Sequence, residues 1–146
     1  MNTRKASIED LNLVTKKTLL LYDNHTFDDL AIENEQLLTD ENQIIFLAFD
    51  TNNCIGFAHC SLRTEYVEGT NSGNVGYLEG IYVDPKFRKQ GVAKILLYQC
   101  EEWAKSKGCI EMASDCELQN YTSYDFHLSV GFAEINKIIC FAKKID

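Results

Sequence analysis

Between Val75 and Lys107 the chain passes from an apolar, β-prone run through Asp84-Pro85 and the loop Lys86-Phe87-Arg88-Lys89-Gln90-Gly91 into an amphipathic helix. No other feature constrains the fold as much. Val75 to Val83 predicts a strand, and Pro85 ends it, because proline lacks the N–H that a ladder needs. Val92, Ile95, Leu96, Cys100, Trp103 and Ala104 recur on one helical face, and Gly108 stops the helix. Such a strand-to-helix passage aims successive backbone N–H groups, and the positive helix end, at one point. Gly91 lets the backbone approach a ligand without a Cβ, Ala93 keeps the next turn small, and Arg88 offers a charge-assisted contact to a phosphate. Alone, the loop has two readings: an anion cradle, or a plain turn with solvated basic residues. It is neither a dinucleotide fingerprint nor a P-loop, since it lacks their further glycines and the Gly-Lys-Ser/Thr.

The rest of the chain supplies partners for this unit. Ser7-Ile8-Glu9-Asp10 resembles a capping box, and Leu11, Val14, Thr18, Leu19 and Leu21 follow at helical spacing. Thr26 opens a second helix with Asp28 and Asp29 in its first turn. From Gln43 the period changes: Ile44 to Phe49 and Cys54 to Arg63 predict a hairpin about the turn Asp50-Thr51-Asn52-Asn53. Glu68 to Asn74 is a polar loop. Cys109 to Ser114 predicts a fourth strand, Asn120 to Val130 a helix, and Phe132 to Lys144 a final strand region. Trp103, Phe126 and Phe132 read as core. The order is two helices, a strand meander, then β-α-β-α-β, which predicts one α+β domain over residues 1–146 around a mixed sheet.

Charge narrows the partners. With 22 acidic and 14 basic residues the formal charge is −8, which argues against nucleic acid, because phosphate neutralisation needs a basic face. It suits a cationic ligand only where carboxylates converge; otherwise it serves solubility. The six cysteines form no C-x-x-C pair, and His25 and His59 belong to no metal-ligand set, so no metal is expected. Met1 to Asp10 has no apolar signal core and no run reaches membrane-spanning length, which predicts a reduced cytoplasmic setting and no membrane partner.

Arg88-x-x-Gly91-x-Ala93 resembles the Q/R-x-x-G-x-G/A signature of the GNAT N-acetyltransferases, with the matching lead-in Ile81-Tyr82-Val83-Asp84-Pro85. Asn120, Ser123 and His127, closed by Gly131-Phe132, resemble the second motif of that family, so the likeness spans essentially the whole chain. It implies a mixed, mostly antiparallel central sheet flanked by helices, with a splayed parallel strand pair at the cofactor site. It also implies acetyl-coenzyme A as co-substrate. Arg88, Lys89, Gln90, Gly91, Val92, Ala93 and Lys94 would then hold the pyrophosphate. Ile81, Tyr82 and Val83 would pair with the pantetheine arm, and Asn120 would add a contact.

Within the family, Arg63 to Thr70, Leu78-Glu79-Gly80-Ile81 and Ala113-Ser114-Asp115 resemble the aminoglycoside 6′-N-acetyltransferases, which confer antibiotic resistance. Aminoglycosides are polyamines, so a matching site needs carboxylates, hydroxyls and a stacking surface. Glu79 and Asp115 stand at the ends of adjacent strands, and the resemblance adds Tyr22, Tyr66 and Asn136 as sugar contacts. The attacking amine must be neutral, which makes Glu79, through water, the expected base and Asp115 the residue that holds the ammonium. The Val83 N–H is the expected oxyanion donor. Many relatives carry a tyrosine as general acid at the position of His127; here His127 is either that proton donor or a structural residue, with Tyr124 the other candidate. Some relatives place an acid where this chain has Asn136. No Cys-His-acid set is spaced for a covalent acetyl-enzyme, so direct attack in a ternary complex is expected. The alternatives are a GNAT acting on a polyamine, peptide or lysine, and a non-catalytic acyl-CoA sensor. The resembled group is commonly homodimeric, and the apolar C-terminal run with Cys140-Phe141 offers an edge for such pairing.

Overall fold

Residues 1–146, all described by the computed structural model, divide into two units, Met1–Asp115 and Cys116–Asp146. The first unit holds one five-stranded sheet in the order β1 (Asn2–Lys5), β2 (Gln43–Asp50), β3 (Asn53–Arg63), β4 (Val75–Val83) and β5 (Met112–Ser114). The first four strands are antiparallel neighbours, and β4 and β5 are parallel. The expected α+β architecture is therefore present, with its parallel pair at the β4–β5 position.

Strand β1 carries no apolar alternation and is invisible to pattern reading. It forms because the outer edge of β2 has unpaired backbone groups, and Asn2 to Lys5 satisfy them in register with Phe49 to Phe46. The hairpin turn lies at Thr51, whose φ of 57° is left-handed. Helix α1 (Leu11–Leu19) begins where its periodicity does, after a separate 3-10 turn at Ile8–Asp10. It stops before Leu21, because the Leu20 and Leu21 N–H groups bond the carbonyls three residues back, of Lys17 and Thr18. Asp10 ties that turn down by accepting the Ser7 N–H at 2.9 Å and a two-pronged bridge from Arg4 at 2.8 Å. Arg4 therefore holds the Asp10 carboxyl down at about 2. Helix α2 (Phe27–Leu38) starts at Thr26, whose hydroxyl accepts the Asp29 N–H.

Two apolar layers enclose the sheet. Ala6, Val14, Ile45, Leu47, Cys54 and Phe57 form one cluster, packed by Leu13, Leu21, Leu37, Leu38, Phe49 and Tyr82. Fully burying a side chain such as Phe57 stabilises the fold by about 1.5–3 kcal/mol. Between α1 and α2, the buried Asn34 amide donates to Thr15 and Thr18 at 3.2 and 3.0 Å, so the helix pair is locked by polar groups that find each other. Helix α3 (Val92–Ser106) brings Val92, Leu96, Leu97, Cys100 and Ala104 to the other layer. Here Gly76 has no room for a Cβ, which would stand 2.7 Å from that of Ala104. Cys54, Cys60, Cys100 and Cys109 are buried, and all six cysteines are free thiols. Trp103 is only half-buried, beside Lys107, and is not the core residue expected.

Strand β5 is half the expected length. Its ladder with β4 runs only from Gly76–Met112 to Leu78–Ser114. Cys109 instead folds back on the end of α3 through an N–H bond to the Ala104 carbonyl.

The second unit contains α4 (Tyr121–Ser129), begun by Asn120, whose side chain accepts the Ser123 N–H at 3.1 Å. Phe126 and Phe132 are half-buried, against the expected core placement, and flank His127. The predicted final strand is absent, since Phe132 to Asp146 form no ladder. Apolar, β-prone composition supplies the faces of a strand but not the partner edge that makes one. No helix is long and apolar enough to cross a membrane.

Candidate active site

The decisive geometry lies where β4 outruns its neighbour. Pairing with β5 stops at Leu78, while β4 continues to Val83 along β3. The Ser114 hydroxyl closes the last rung by donating to the Leu78 carbonyl at 3.0 Å. Beyond it, the edge of β4 that faced β5 is open. The Asp84 N–H bonds Ile55, and residue pairs in an antiparallel ladder alternate between bonded and unbonded. Tyr82 thus pairs its main chain with Phe57, whereas the main-chain groups of Ile81 and Val83 turn to the open edge. Sequence reasoning treated the three residues alike; the ladder separates them. The Tyr82 ring instead stacks on Phe57 at 6.4 Å and lies 5.4 Å below the Arg88 guanidinium.

Arg88 also donates from Nε to the Val83 carbonyl at 2.7 Å, and Lys17 grips both Asp84 oxygens at 3.0 Å. Together they fix the strand end from which the loop departs. Lys89 and Gly91 have φ of 61° and 84°, left-handed values that turn the chain sharply into α3. Nothing lies within 4 Å of a Cβ built on Gly91, so within this chain its glycine is required by conformation and not by crowding. The first α-helical bond runs from the Ile95 N–H to the Gly91 carbonyl, which leaves the N–H groups of Val92, Ala93 and Lys94 ahead of the ladder. The Val92 side chain is buried, while Lys89, Gln90 and Lys94 are exposed.

Glu79 owes its position to a β-bulge. His59 faces Gly80 and Cys60 faces Leu78, so Glu79 is the extra residue of β4. Its carboxylate accepts from Ser61 at 2.9 Å and from Arg63 through Nε at 3.0 Å and Nη2 at 2.6 and 3.0 Å. The Arg63 guanidinium also lies 3.4 Å from the centre of the Tyr77 ring, and the Tyr77 hydroxyl donates to Asp115. One chain of contacts thus joins the two acids. Burial and the bond to Asp115 raise the Tyr77 pKa, which keeps the phenol protonated as a donor. Tyr22 sits over Gly80, where any Cβ would strike its hydroxyl, and that hydroxyl donates to the Glu79 carbonyl at 3.4 Å. Burial first, then the charges of Glu79 and Asp115, push Tyr22 up to about 12.

Tyr22, Glu79 and Asp115 are brought together as expected. Tyr66 stands 81% exposed on the loop between β3 and β4. Asn120, His127 and Asn136 belong to the second unit. His127 Nδ1 lies 2.7 Å from the Ser123 carbonyl, which selects the tautomer protonated there. Asn136 accepts the Lys137 N–H at 2.8 Å. Burial lowers His59 to about 4, and its Nε2 lies 2.9 Å from the Gln43 side-chain oxygen, so it is a neutral structural group. Ser61, Arg63 and Tyr77 were missed as site residues. Their signal was present: Ser61-x-Arg63 and Tyr77-x-Glu79 are polar alternations in otherwise apolar strands, each on one face.

Residues 10–132 match the model of the Acetyltransferase (GNAT) family. An aminoglycoside N(6′)-acetyltransferase type 1 from Acinetobacter haemolyticus is 46% identical over 114 residues, covering 78% of this chain and 79% of the relative. Among solved structures, AAC(6′)-Iy in complex with the bisubstrate analogue CoA-S-monomethyl-acetylneamine superposes with a TM-score of 0.93 at 35% identity. That match covers 99% of this chain and 98% of the other. The apo 6′-N-acetyltransferase AAC(6′)-IG from Acinetobacter haemolyticus has a TM-score of 0.90 at 40% identity, over the whole of both chains.

Proposed function

The chain belongs to the GNAT acetyltransferase family, and from that premise we propose that it transfers the acetyl group of acetyl-CoA to the 6′-amine of aminoglycoside antibiotics, residues 1–146 acting as one domain. The observation that carries the acceptor is the joining of Glu79 and Asp115 on one site by Arg63 and Tyr77. Two carboxylates so placed suit a polyamine and have no use in a sensor that only binds an acyl-CoA. The relative solved with a CoA–neamine bisubstrate shares this fold over 99% of the chain, which supports both halves of the reading.

The open edge at Ile81 and Val83 fits an extended amide-bearing arm, and the N-terminus of α3 behind the left-handed Gly91 fits a pyrophosphate. Arg88, Lys89, Gln90 and Lys94 add positive charge there, while Val92 and Ala93 contribute backbone N–H groups. Acetyl-CoA supplies the activated acyl group. Glu79 accepts the proton of the 6′-ammonium through water, and Asp115, Tyr22 and Tyr66 orient the sugar. The Val83 N–H, turned to the open edge, donates to the oxyanion that develops as the neutral amine attacks.

Purified protein given acetyl-CoA and kanamycin or tobramycin is expected to release one thiol per acetylated drug, read with a thiol reagent and by mass spectrometry. Thiol release with spermidine or a peptide but none with either drug would overturn the acceptor and keep the family.

We also place the enzyme in the cytoplasm, consistent with six free thiols, and assign it as a homodimer. Ile138, Ile139, Phe141 and Ile145 are 69%, 81%, 92% and 94% exposed on a β-prone run without a ladder. A second copy supplies the missing edge. Light scattering should give twice the 16.7 kDa chain mass, and Phe141→Glu should shift it toward the monomer. A monomeric mass for the unaltered protein at assay concentration overturns the assignment.

A further inference from the structure

The carboxylate expected to take the acceptor's proton already holds a cation. Arg63 meets Glu79 through three contacts of 2.6 to 3.0 Å, and Ser61 supplies a fourth at 2.9 Å. Three of the four contacts fall on Oε1 and one on Oε2, so the charge of Glu79 is already matched by a cation, while Oε2 keeps a lone pair toward which an entering ammonium can aim. The same guanidinium covers the face of the Tyr77 ring, a surface on which a charged aminosugar would otherwise rest.

We propose that Arg63 is an internal stand-in for the substrate cation, which occupies Glu79 and the Tyr77 face in the free enzyme and is displaced when a polycationic acceptor enters. The inference rests on the aminoglycoside reading and deepens it. Three observations carry it. Arg63 is the last residue of β3, followed by the irregular loop 64–74, so its side chain can swing away without breaking a ladder. Its side chain is 43% exposed against 24% for Glu79, and an ion pair that open to water exchanges readily. Tyr77 keeps its own bond to Asp115, so departure of Arg63 uncovers a ring that stays in place. The exchange costs the enzyme no net charge compensation, since one cation replaces another. It also favours acceptors with several ammonium groups, because one can compete for Glu79 while another meets Asp115. Arg63 is thus a positioning residue that acts through Glu79.

Arg63→Ala removes the competitor. The KM for kanamycin should fall about two- to fivefold, the size of a partly exposed ion pair, while the KM for acetyl-CoA holds. Arg63→Lys keeps a charge but loses the fork and should fall between the two. A kanamycin KM that rises or stays unchanged in Arg63→Ala overturns the proposal, because a supporting role predicts that result. A second readout is taken on the wild-type protein itself. In wild-type protein labelled with 15N-arginine, the Arg63 Nε–H signal, assigned by its loss in Arg63→Lys, should move on saturation with kanamycin and not with CoA. A signal that ignores kanamycin overturns the proposal. Wild-type protein that binds and acetylates no aminoglycoside sinks the functional reading and this inference together, whereas turnover with an unmoved Arg63 sinks this inference alone.

Discussion

Glu79→Gln should lower kcat for aminoglycoside acetylation by about 100- to 1000-fold, the usual contribution of a positioned base, and leave the KM for acetyl-CoA within about twofold of wild type. The substitution keeps the shape of the bulge and an oxygen for the Ser61 hydroxyl, but removes the charge. Arg63 loses its anion, yet its side chain is 43% exposed and turns to water, so the fold should survive. Asp115→Asn should act differently. It retains an acceptor for the Tyr77 hydroxyl and loses a charge-assisted contact to the drug, which raises the acceptor KM by about tenfold or more. Steady-state kinetics on both variants, with each substrate varied in turn, separates the roles. A Glu79→Gln enzyme with kcat within about threefold of wild type removes Glu79 as the proton acceptor.

Gly91→Val should be the most damaging change at the cofactor end. A φ of 84° costs a β-branched residue about 1–2 kcal/mol, so the urea midpoint should drop. A Cβ at this point meets no protein atom within 4 Å, and the stability loss is therefore conformational. Any cofactor defect beyond it comes from the space the pyrophosphate needs and from backbone N–H groups re-aimed by the altered turn. The KM for acetyl-CoA should rise at least about tenfold, as expected for loss of one good charge-assisted contact, with the drug KM little changed. Destabilisation with an unchanged acetyl-CoA KM would mark Gly91 as a turn residue only. Gly91→Ala, which carries the smaller side chain, should show both effects in weaker form.

Legibility in the sequence followed the range of the interactions concerned. The strand Val75–Val83 and the helix Val92–Ser106 lie within a residue or two of their expected bounds, because proline, glycine and side-chain periodicity act locally. Thr26 and Asn120 cap their helices for the same reason. Strand β1 was hidden, since its polar residues form a strand only where β2 offers an edge. The run Ile138 to Ala142 failed in the opposite sense: its composition is that of a strand, but no edge within the chain receives it.

The motif Arg88-x-x-Gly91-x-Ala93 and the acids Glu79 and Asp115 were thus determined by the sequence itself, through residue identity and spacing. Tertiary structure decided how they are presented. The bulge that projects Glu79 is a one-residue mismatch between β3 and β4, and an early stop of β5 opens the edge at Ile81 and Val83. The guanidinium of Arg63, sixteen positions from Glu79 along the chain, reaches it only because the hairpin closes. Register and strand length are set by pairing between distant segments, and a linear pattern carries no record of which backbone groups will face one another.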